Sequence, residues 1–261
     1  MTDHDQQHSA DGQREYWDAN LDVRNLGGEV DFDLDVESAF LQAPDHRQAW
    51  EWMGDLKGRR ALEIGCGLGV HAIWLAHRGA RVVALDSSYE RLIALRRVLE
   101  GQNYPGKIWL VQAGAEQLPF ADDAFDIEYC KAVLIHTELD RSLPEINRTL
   151  KPDGRGVFIE PLRRNPFVKL YRNTFAPKIW KSIARYFGPQ ETGLMQKYFG
   201  HVQWRDFYFT AFAAFVFQFA LRSPVLFRIA ISIFHPFDRL LIKLPVFREM
   251  NWMRAFCVKS K

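Results

Sequence analysis

Over the first 160 positions, short apolar runs that end on glycine or an acidic residue alternate with segments whose apolar residues recur at helical spacing. In RRALEIGCGLGV, Ala61, Leu62 and Ile64 form a run that stops at alternating glycines, and VHAIWLAHRG continues with apolar positions spaced for a helix. This predicts strand, glycine turn, helix. RVVALDSS follows as a second strand closing on Asp86, with a helix over about 88–101. KIWLVQAG, FDIEYCKAVLIH, a helix near 138–150, the turn KPDGR and the strand GVFIEP continue the series, and residues near 38–55 read as a helix ahead of it. Strands alternating with helices imply an α/β fold, a doubly wound, Rossmann-like and mostly parallel sheet with helices on both faces.

Beyond Pro161 the alternation stops. Helices rich in Phe, Trp, Arg and Lys are predicted over about 163–199, HVQWRDFYF as a sixth strand and WMRAFCVKS as a seventh, completing a seven-stranded sheet. Between these strands lies a long apolar insertion, roughly 210–248. Its longest uncharged stretch, Phe207 to Leu221, is 15 residues, short of the ~20 that a transmembrane helix needs. Arg222, Pro224 and Arg228 then interrupt it, so a buried or interfacial helical hairpin is expected. The division expected is a tail and lid segment over 1–37, a core over 38–161, and over 162–261 two helical insertions (162–200 and 210–248) with the last two strands.

The formal net charge of +2 hides an asymmetry. Residues 1–160 carry 17 basic against 28 acidic side chains, residues 161–261 carry 17 against 4, and the latter part holds 22 of the 36 aromatic residues. A basic and greasy segment suits an anionic membrane surface, a lipophilic or negatively charged substrate, or nucleic acid. The cysteines Cys66, Cys130 and Cys257 lie far apart with no CxxC pair, which gives no support to a disulfide framework or a zinc site and suggests a reducing compartment. The polar, acidic start MTDHDQQHSADGQREYWD lacks the pattern of a secretory signal, and no metal is indicated.

Gly65, Gly67 and Gly69 allow the chain to turn tightly after a strand and bring backbone amides to a ligand at a helix N-terminus. The pattern is acidic-x-Gly-x-Gly-x-Gly rather than the Gly-x-Gly-x-x-Gly that receives a pyrophosphate. Glu63, at the strand end, attracts an amino-bearing or cationic ligand and repels a pyrophosphate, which argues against NAD. Asp86 lies 17 residues after Gly69, where a doubly wound domain places the carboxylate that holds ribose hydroxyls, though an Asp there is also a common helix cap. A nucleoside with an amino acid end, the shape of S-adenosylmethionine, suits the pair.

These motifs resemble the class I S-adenosylmethionine-dependent methyltransferases, in particular the small-molecule group that includes the ubiquinone/menaquinone C-methyltransferases. The resemblance runs from about Tyr16 to Pro161 through LEIGCGLG, VVALDSS, AEQLPFADDAFDIEYCKAVLIH and LPEINRTLKPDGRGVFIEP, in order, and WMRAFCVKSK fits the family's closing strand. It implies a cofactor site in which Glu63 lies near the methionine end, Gly65, Gly67 and Gly69 line the cofactor, Asp86 holds the ribose, Ala115 and Glu116 flank the adenine, and Cys66, Ser87 and Lys131 also bind the cofactor. Many members carry an acidic residue where this chain has Gly114, so that contact is lost here or taken over by Glu116 or a backbone carbonyl.

Methyl transfer is an in-line displacement at a sulfonium, and the enzyme chiefly positions the acceptor and excludes water. His136, in VLIHTE, is the candidate general base, against the plainer alternative that it packs or caps the next helix. Tyr16 and Trp17 are candidates for a lid, or simply anchor a helix. His71 and His77 read as helix-surface residues. The expected substrate is a lipophilic or aromatic small molecule methylated at oxygen or carbon by a cytoplasmic enzyme, peripheral on the inner membrane face if the insertion meets lipid. The insertion is otherwise a lid or a dimer interface. No Asn-Pro-Pro-Tyr type tetrapeptide follows the fourth strand, which disfavours a nucleic-acid methyltransferase; a non-catalytic cofactor-binding scaffold is the alternative of a different class.

Overall fold

The computed structural model describes residues 10–19, 41–100, 105–174 and 183–261. The parts of the expected tail and lid segment at 1–9 and 20–37 lie outside them.

Among the described residues, seven strands form one sheet in the order β3-β2-β1-β4-β5-β7-β6. In chain order the strands are β1 (Arg60–Ile64), β2 (Arg81–Asp86), β3 (Lys107–Gln112), β4 (Phe125–Lys131), β5 (Leu150–Pro161), β6 (His201–Phe207) and β7 (Met253–Lys259). All neighbours pair in parallel except around β7, which runs antiparallel between β5 and β6. The helices, in the same order, are α1 (Ala10–Ala19), α2 (Pro44–Met53), α3 (Val70–His77), α4 (Tyr89–Leu99), α5 (Leu139–Thr149), α6 (Pro166–Thr174), α7 (Pro189–Tyr198), α8 (Phe215–Phe219), α9 (Pro224–Leu241) and α10 (Pro245–Arg248). The expected fold class holds, with the helical insertion between β6 and β7.

Two apolar cores cover the two sheet faces. Period-two alternation sends Ala61 of β1 and Ile127 and Tyr129 of β4 to the face packed by α2, α3 and α9, while Leu62, Ile64 and Cys130 face α5 and α7. With the register pairing Glu63 to Tyr129, Glu63, Tyr129 and Lys131 share the first face at the ligand-binding, carboxyl ends of the strands. The order reverses at β1 and β4, so the topological switch point lies beside them.

The phenylalanine run of the basic segment turns inward. Phe207, Phe209 and Phe215 are buried, and Phe212 and Phe217 pack against the core. The phenylalanines are spread over a strand end, a bend, a 3-10 turn at Ala211–Ala214 and α8 rather than along one helix, so successive ones can turn inward. The exposed apolar face belongs to α9 instead. Val225, Leu226, Ile229, Ile233, Phe237 and Leu240 face outward at three- and four-residue spacing, while Phe227, Ala230 and Ile231 are buried. Buried Asp238 fixes this orientation, accepting hydrogen bonds from the Thr210 amide (2.8 Å), the Thr210 hydroxyl (2.7 Å) and the Ala211 amide (3.0 Å). No described helix is long and apolar enough to cross a membrane.

Candidate active site

The turn after β1 is built for close approach. Gly65, Gly67 and Gly69 all have positive φ, and a Cβ on Gly65 would lie 2.4 Å from Val133 Cγ2, one on Gly69 2.3 Å from Leu95 Cδ1. Side chains are excluded at these two positions by both backbone conformation and space. Asp86, buried at the end of β2, accepts from the Gly67 amide (2.8 Å) and the Ser88 amide (2.9 Å), so it ties the glycine turn to the β2–α4 turn. A carboxylate offers about four acceptor positions, of which these two amides take one on each oxygen.

Along the carboxyl ends of β1, β2 and β4 runs a cleft of about 790 Å³, open mouth included, whose lining includes Gly65, Asp86, Ser87, Ala115, Glu116, Lys131 and His136. Of the residues expected from sequence, these seven come together. Glu63, Cys66, Gly67 and Gly69 support the turn from behind and do not line it. Trp17 lines the cleft in place of Tyr16, which packs edge-on against Trp17 at 4.8 Å between ring centroids. Helix α1 is held across the opening by the Ser88 hydroxyl, 2.6 Å from Asp18 Oδ1, and by the Arg91 guanidinium 4.4 Å from the Trp17 ring centre.

At Gly114, a Cβ would meet Glu116 Oε2 at 3.1 Å, so the Glu116 carboxylate fills the space a side chain at 114 would take. Glu116 Oε1 accepts from the Glu138 amide at 3.1 Å. His136 donates from Nδ1 to the Ile183 carbonyl at 2.9 Å, since a carbonyl only accepts. The neutral ring therefore carries its lone pair on Nε2. The loop bearing His136 is held from below by Glu160, buried at the end of β5, which accepts from the amides of Val133, Leu134 and Ile135 at 3.2, 3.0 and 3.4 Å. Burial pushes the Glu160 carboxyl up to about 7 despite these amides.

His71 corrects the sequence reading. It is not a surface residue: its Nδ1 lies 3.3 Å from Glu63 Oε1 and its Nε2 3.0 Å from His46 Nε2, whereas His77 is exposed as expected. Asp45 and His46, on the first turn of α2, were not singled out by any motif. Asp45 is fully buried, 2.8 Å from Lys131 Nζ, and accepts from the Tyr208 hydroxyl. Glu63 is also buried, and its Oε2 has no hydrogen-bond partner among the described residues. Burial, with the Asp86 charge adding to it, holds the Glu63 carboxyl well above the usual carboxylate range, although the Ala72 amide opposes this.

This geometry coincides with a family pattern: residues 62–158 match the family described as a methyltransferase domain. The chain is 37% identical over 134 residues to a demethylmenaquinone methyltransferase of Clavibacter sepedonicus, a match covering 49% of this chain and 53% of that protein. The chain spans about half the length of the curated relatives it matches. Among solved structures, a Haemonchus contortus phosphoethanolamine N-methyltransferase in complex with phosphomonomethylethanolamine and S-adenosylhomocysteine is similar at TM-score 0.60 and 17% identity, covering 100% of this chain and 60% of that one. The [4+2]-cyclase SpnF is similar at TM-score 0.56 and 16% identity, covering 82% and 78%. At these identities the chain and these structures share a fold.

Proposed function

We propose that the chain is an S-adenosylmethionine-dependent methyltransferase acting on oxygen or carbon of a lipophilic or aromatic small molecule at an anionic, cytoplasmic membrane face. The observation that carries this reading is the cleft itself, with Asp86 and Glu116 presenting carboxylates along one wall and buried Glu63, its Oε2 unsatisfied, behind the glycine turn. Acceptors for hydroxyls and amines along a wall that carries carboxylates suit a nucleoside with a cationic end and oppose a pyrophosphate. In this reading Gly65, Cys66, Gly67 and Gly69 shape the turn around the methionine moiety, Asp86 and Ser87 hold the ribose, and Ala115 and Glu116 flank the adenine, Glu116 standing in for the acidic residue absent at 114. Residues 38–161 then hold the cofactor, and the helical segments within 162–200 and 210–248 shape the acceptor's side.

When bound, the cofactor supplies an electrophilic methyl group on sulfonium. The protein's part is to hold the acceptor in line, to close the cleft with Trp17 of α1, and to take a proton at His136 Nε2 if the acceptor is a hydroxyl. The outward apolar stripe of α9 is flanked in sequence by Arg222, Arg228, Arg239, Lys243 and Arg248. Apolar side chains that enter the headgroup boundary beside cations that meet anionic lipid support a site fed from the bilayer. The curated relative named for demethylmenaquinone supports an acceptor of that solubility.

The test is transfer of labelled methyl from S-adenosylmethionine to a panel of lipophilic phenols and quinols presented in anionic vesicles. Label is expected in the lipophilic fraction, and His136→Ala should lower kcat for a hydroxyl acceptor by about 100-fold. Because the cyclase shares the fold, a protein that binds the cofactor but labels no lipophilic acceptor would contradict the proposal. Labelled RNA instead would favour nucleic-acid methylation.

A further inference from the structure

Lys131, Asp45 and Tyr208 meet at the β4 end of the cleft, and two of the three come from outside the family-matching residues 62–158. Lys131 Nζ donates to Asp45 Oδ2 at 2.8 Å and lies 3.4 and 3.3 Å from His46 Nδ1 and Nε2. The Tyr208 hydroxyl donates to Asp45 Oδ1, and the Asp45 amide lies 3.3 Å from the same hydroxyl oxygen. Asp45, His46 and Tyr208 are fully buried, whereas the Lys131 side chain keeps 12% exposure and lines the cleft. A carboxylate shut away from water is tolerated only beside an opposite charge. Asp45 thus needs the ammonium and also holds it in one place.

Both ends of this bridge stand on left-handed backbone. Ala132, which follows Lys131, has φ 55°, and Tyr208 has φ 66°. Such a conformation at a residue other than glycine persists only where its surroundings hold it, and it gathers at ligand sites. The Ala132 amide donates to the Ile159 carbonyl at 2.8 Å, and the rings of Phe207, Phe215 and Trp252 close in Tyr208. Charge also follows the strand order across the cleft. Ile64 pairs with Leu85 and Glu63 with Tyr129, so Asp86, Gly65 and Lys131 fall on one row over β2, β1 and β4. Two strand spacings separate the backbones of Asp86 and Lys131 by about 10 Å. A nucleoside amino acid whose ribose lies over Asp86 extends along this row, over the glycine turn, towards Lys131.

We propose that Lys131 reads the carboxylate of the cofactor's amino acid end, and that Asp45 and Tyr208 are positioning residues that hold its ammonium in place for this. The ammonium donates to Asp45 on one side and to the ligand's carboxylate on the other, a charge-assisted contact of the stronger kind. Arg91 also lines the cleft, but from α4, beyond β2, with its guanidinium on the Trp17 ring. The inference rests on the proposed S-adenosylmethionine site. It adds that the ligand is selected by its carboxylate, and that α2 and the residue after β6 set where that carboxylate lies.

The experiment is calorimetric titration of the full chain with S-adenosylhomocysteine and with decarboxylated S-adenosylhomocysteine, which keeps the nucleoside, the sulfur and the amine. The wild type is expected to bind the carboxylate-bearing ligand about 30-fold more tightly. Lys131→Met should bind S-adenosylhomocysteine about 30-fold more weakly than the wild type and the decarboxylated ligand within about twofold of it, so that the preference disappears. Lys131→Met/Asp45→Asn removes both charges of the pair, which leaves no buried charge alone should the single variant not fold, and should lose the preference equally. Lys131→Arg keeps the charge and should retain a preference of about fivefold or more. Tyr208→Phe, which removes only the hydroxyl that steadies Asp45, should lower the preference about threefold. A wild type that binds both ligands equally would overturn the inference, as would Lys131→Met variants that keep the full preference or weaken both ligands to the same degree. A wild type that binds neither ligand would instead overturn the proposed cofactor site, and this inference with it.

Discussion

The carboxyl ends of β1 and β4 and the outer face of α9 carry opposite mismatches between side chain and surroundings. Beside β1 and β4, Asp45, His46 and Glu63 are placed where water is excluded, with Lys131 reaching Asp45 from the cleft. On α9, leucine, isoleucine and phenylalanine are placed where water is present. Burying a charge is tolerated only with partners around it, and an apolar stripe of this size normally marks a surface that something covers. Both regions thus hold free energy that folding alone leaves unrecovered, and in this account ligands recover it: a cationic cofactor at the first, a lipid surface at the second.

The comparison breaks most visibly by removing one buried partner. Asp45→Leu removes the buried carboxylate that pairs with Lys131 and accepts from the Tyr208 hydroxyl, and should lower unfolding free energy by about 3–5 kcal/mol in urea titration. Gly65→Val forces a branched side chain onto a positive φ and into Val133. A loss of about 3 kcal/mol is expected in the same measurement, with cofactor binding abolished in whatever folds.

Smaller, and read through pH, is the effect at Glu128. This β4 residue accepts from the Thr149 hydroxyl at 2.6 Å, and burial pushes its carboxyl from 4.5 up to about 8. The folded state then binds the proton more tightly than the unfolded one. The group's contribution is fully favourable below pH 4.5 and is lost as pH rises towards 8, with Glu160 acting in the same direction up to about 7. Stability should therefore fall between about pH 5 and 8. Glu128→Gln, which keeps the acceptor for Thr149, should gain on the wild type more at pH 8 than at pH 5 in denaturant titrations.

The smallest effect on folding is expected on α9. Changing Ile229, Ile233 and Phe237 to serine removes exposed apolar surface only, and each should shift stability by no more than about 0.5 kcal/mol. Flotation with anionic vesicles should nevertheless be lost in the triple variant. Flotation retained by it would detach the stripe from the membrane.

How much was legible in the sequence differs between the same two regions. The β1 turn could be read because its signal is local: apolar run, alternating glycines and helix lie within LEIGCGLGV and the residues that follow. The buried polar cluster beneath it could not, because His46 and His71 belong to separate helices and each looks like an ordinary polar interruption in PDHRQAWEWM and VHAIWLAH. Trp17 rather than Tyr16 at the cleft depends on the rotation of α1, which the Asp18–Ser88 contact sets. For the insertion, composition announced exposed greasy surface but not its location. The phenylalanine run turned inward through a bend, and the outward face fell to α9, whose orientation depends on Asp238 reaching back to Thr210 and Ala211.

The central claim is that Asp86 and the glycine turn form a cofactor site, and it is tested most directly by calorimetric titration with S-adenosylhomocysteine of the wild type beside Asp86→Ala. Asp86 organises the Gly67 and Ser88 amides and supplies the remaining acceptor positions. The account predicts wild-type binding in the micromolar range and a loss of about 100-fold on substitution, equal to about 2.7 kcal/mol. Wild-type binding unchanged by Asp86→Ala would place the ligand elsewhere, and no binding by either protein would contradict the account.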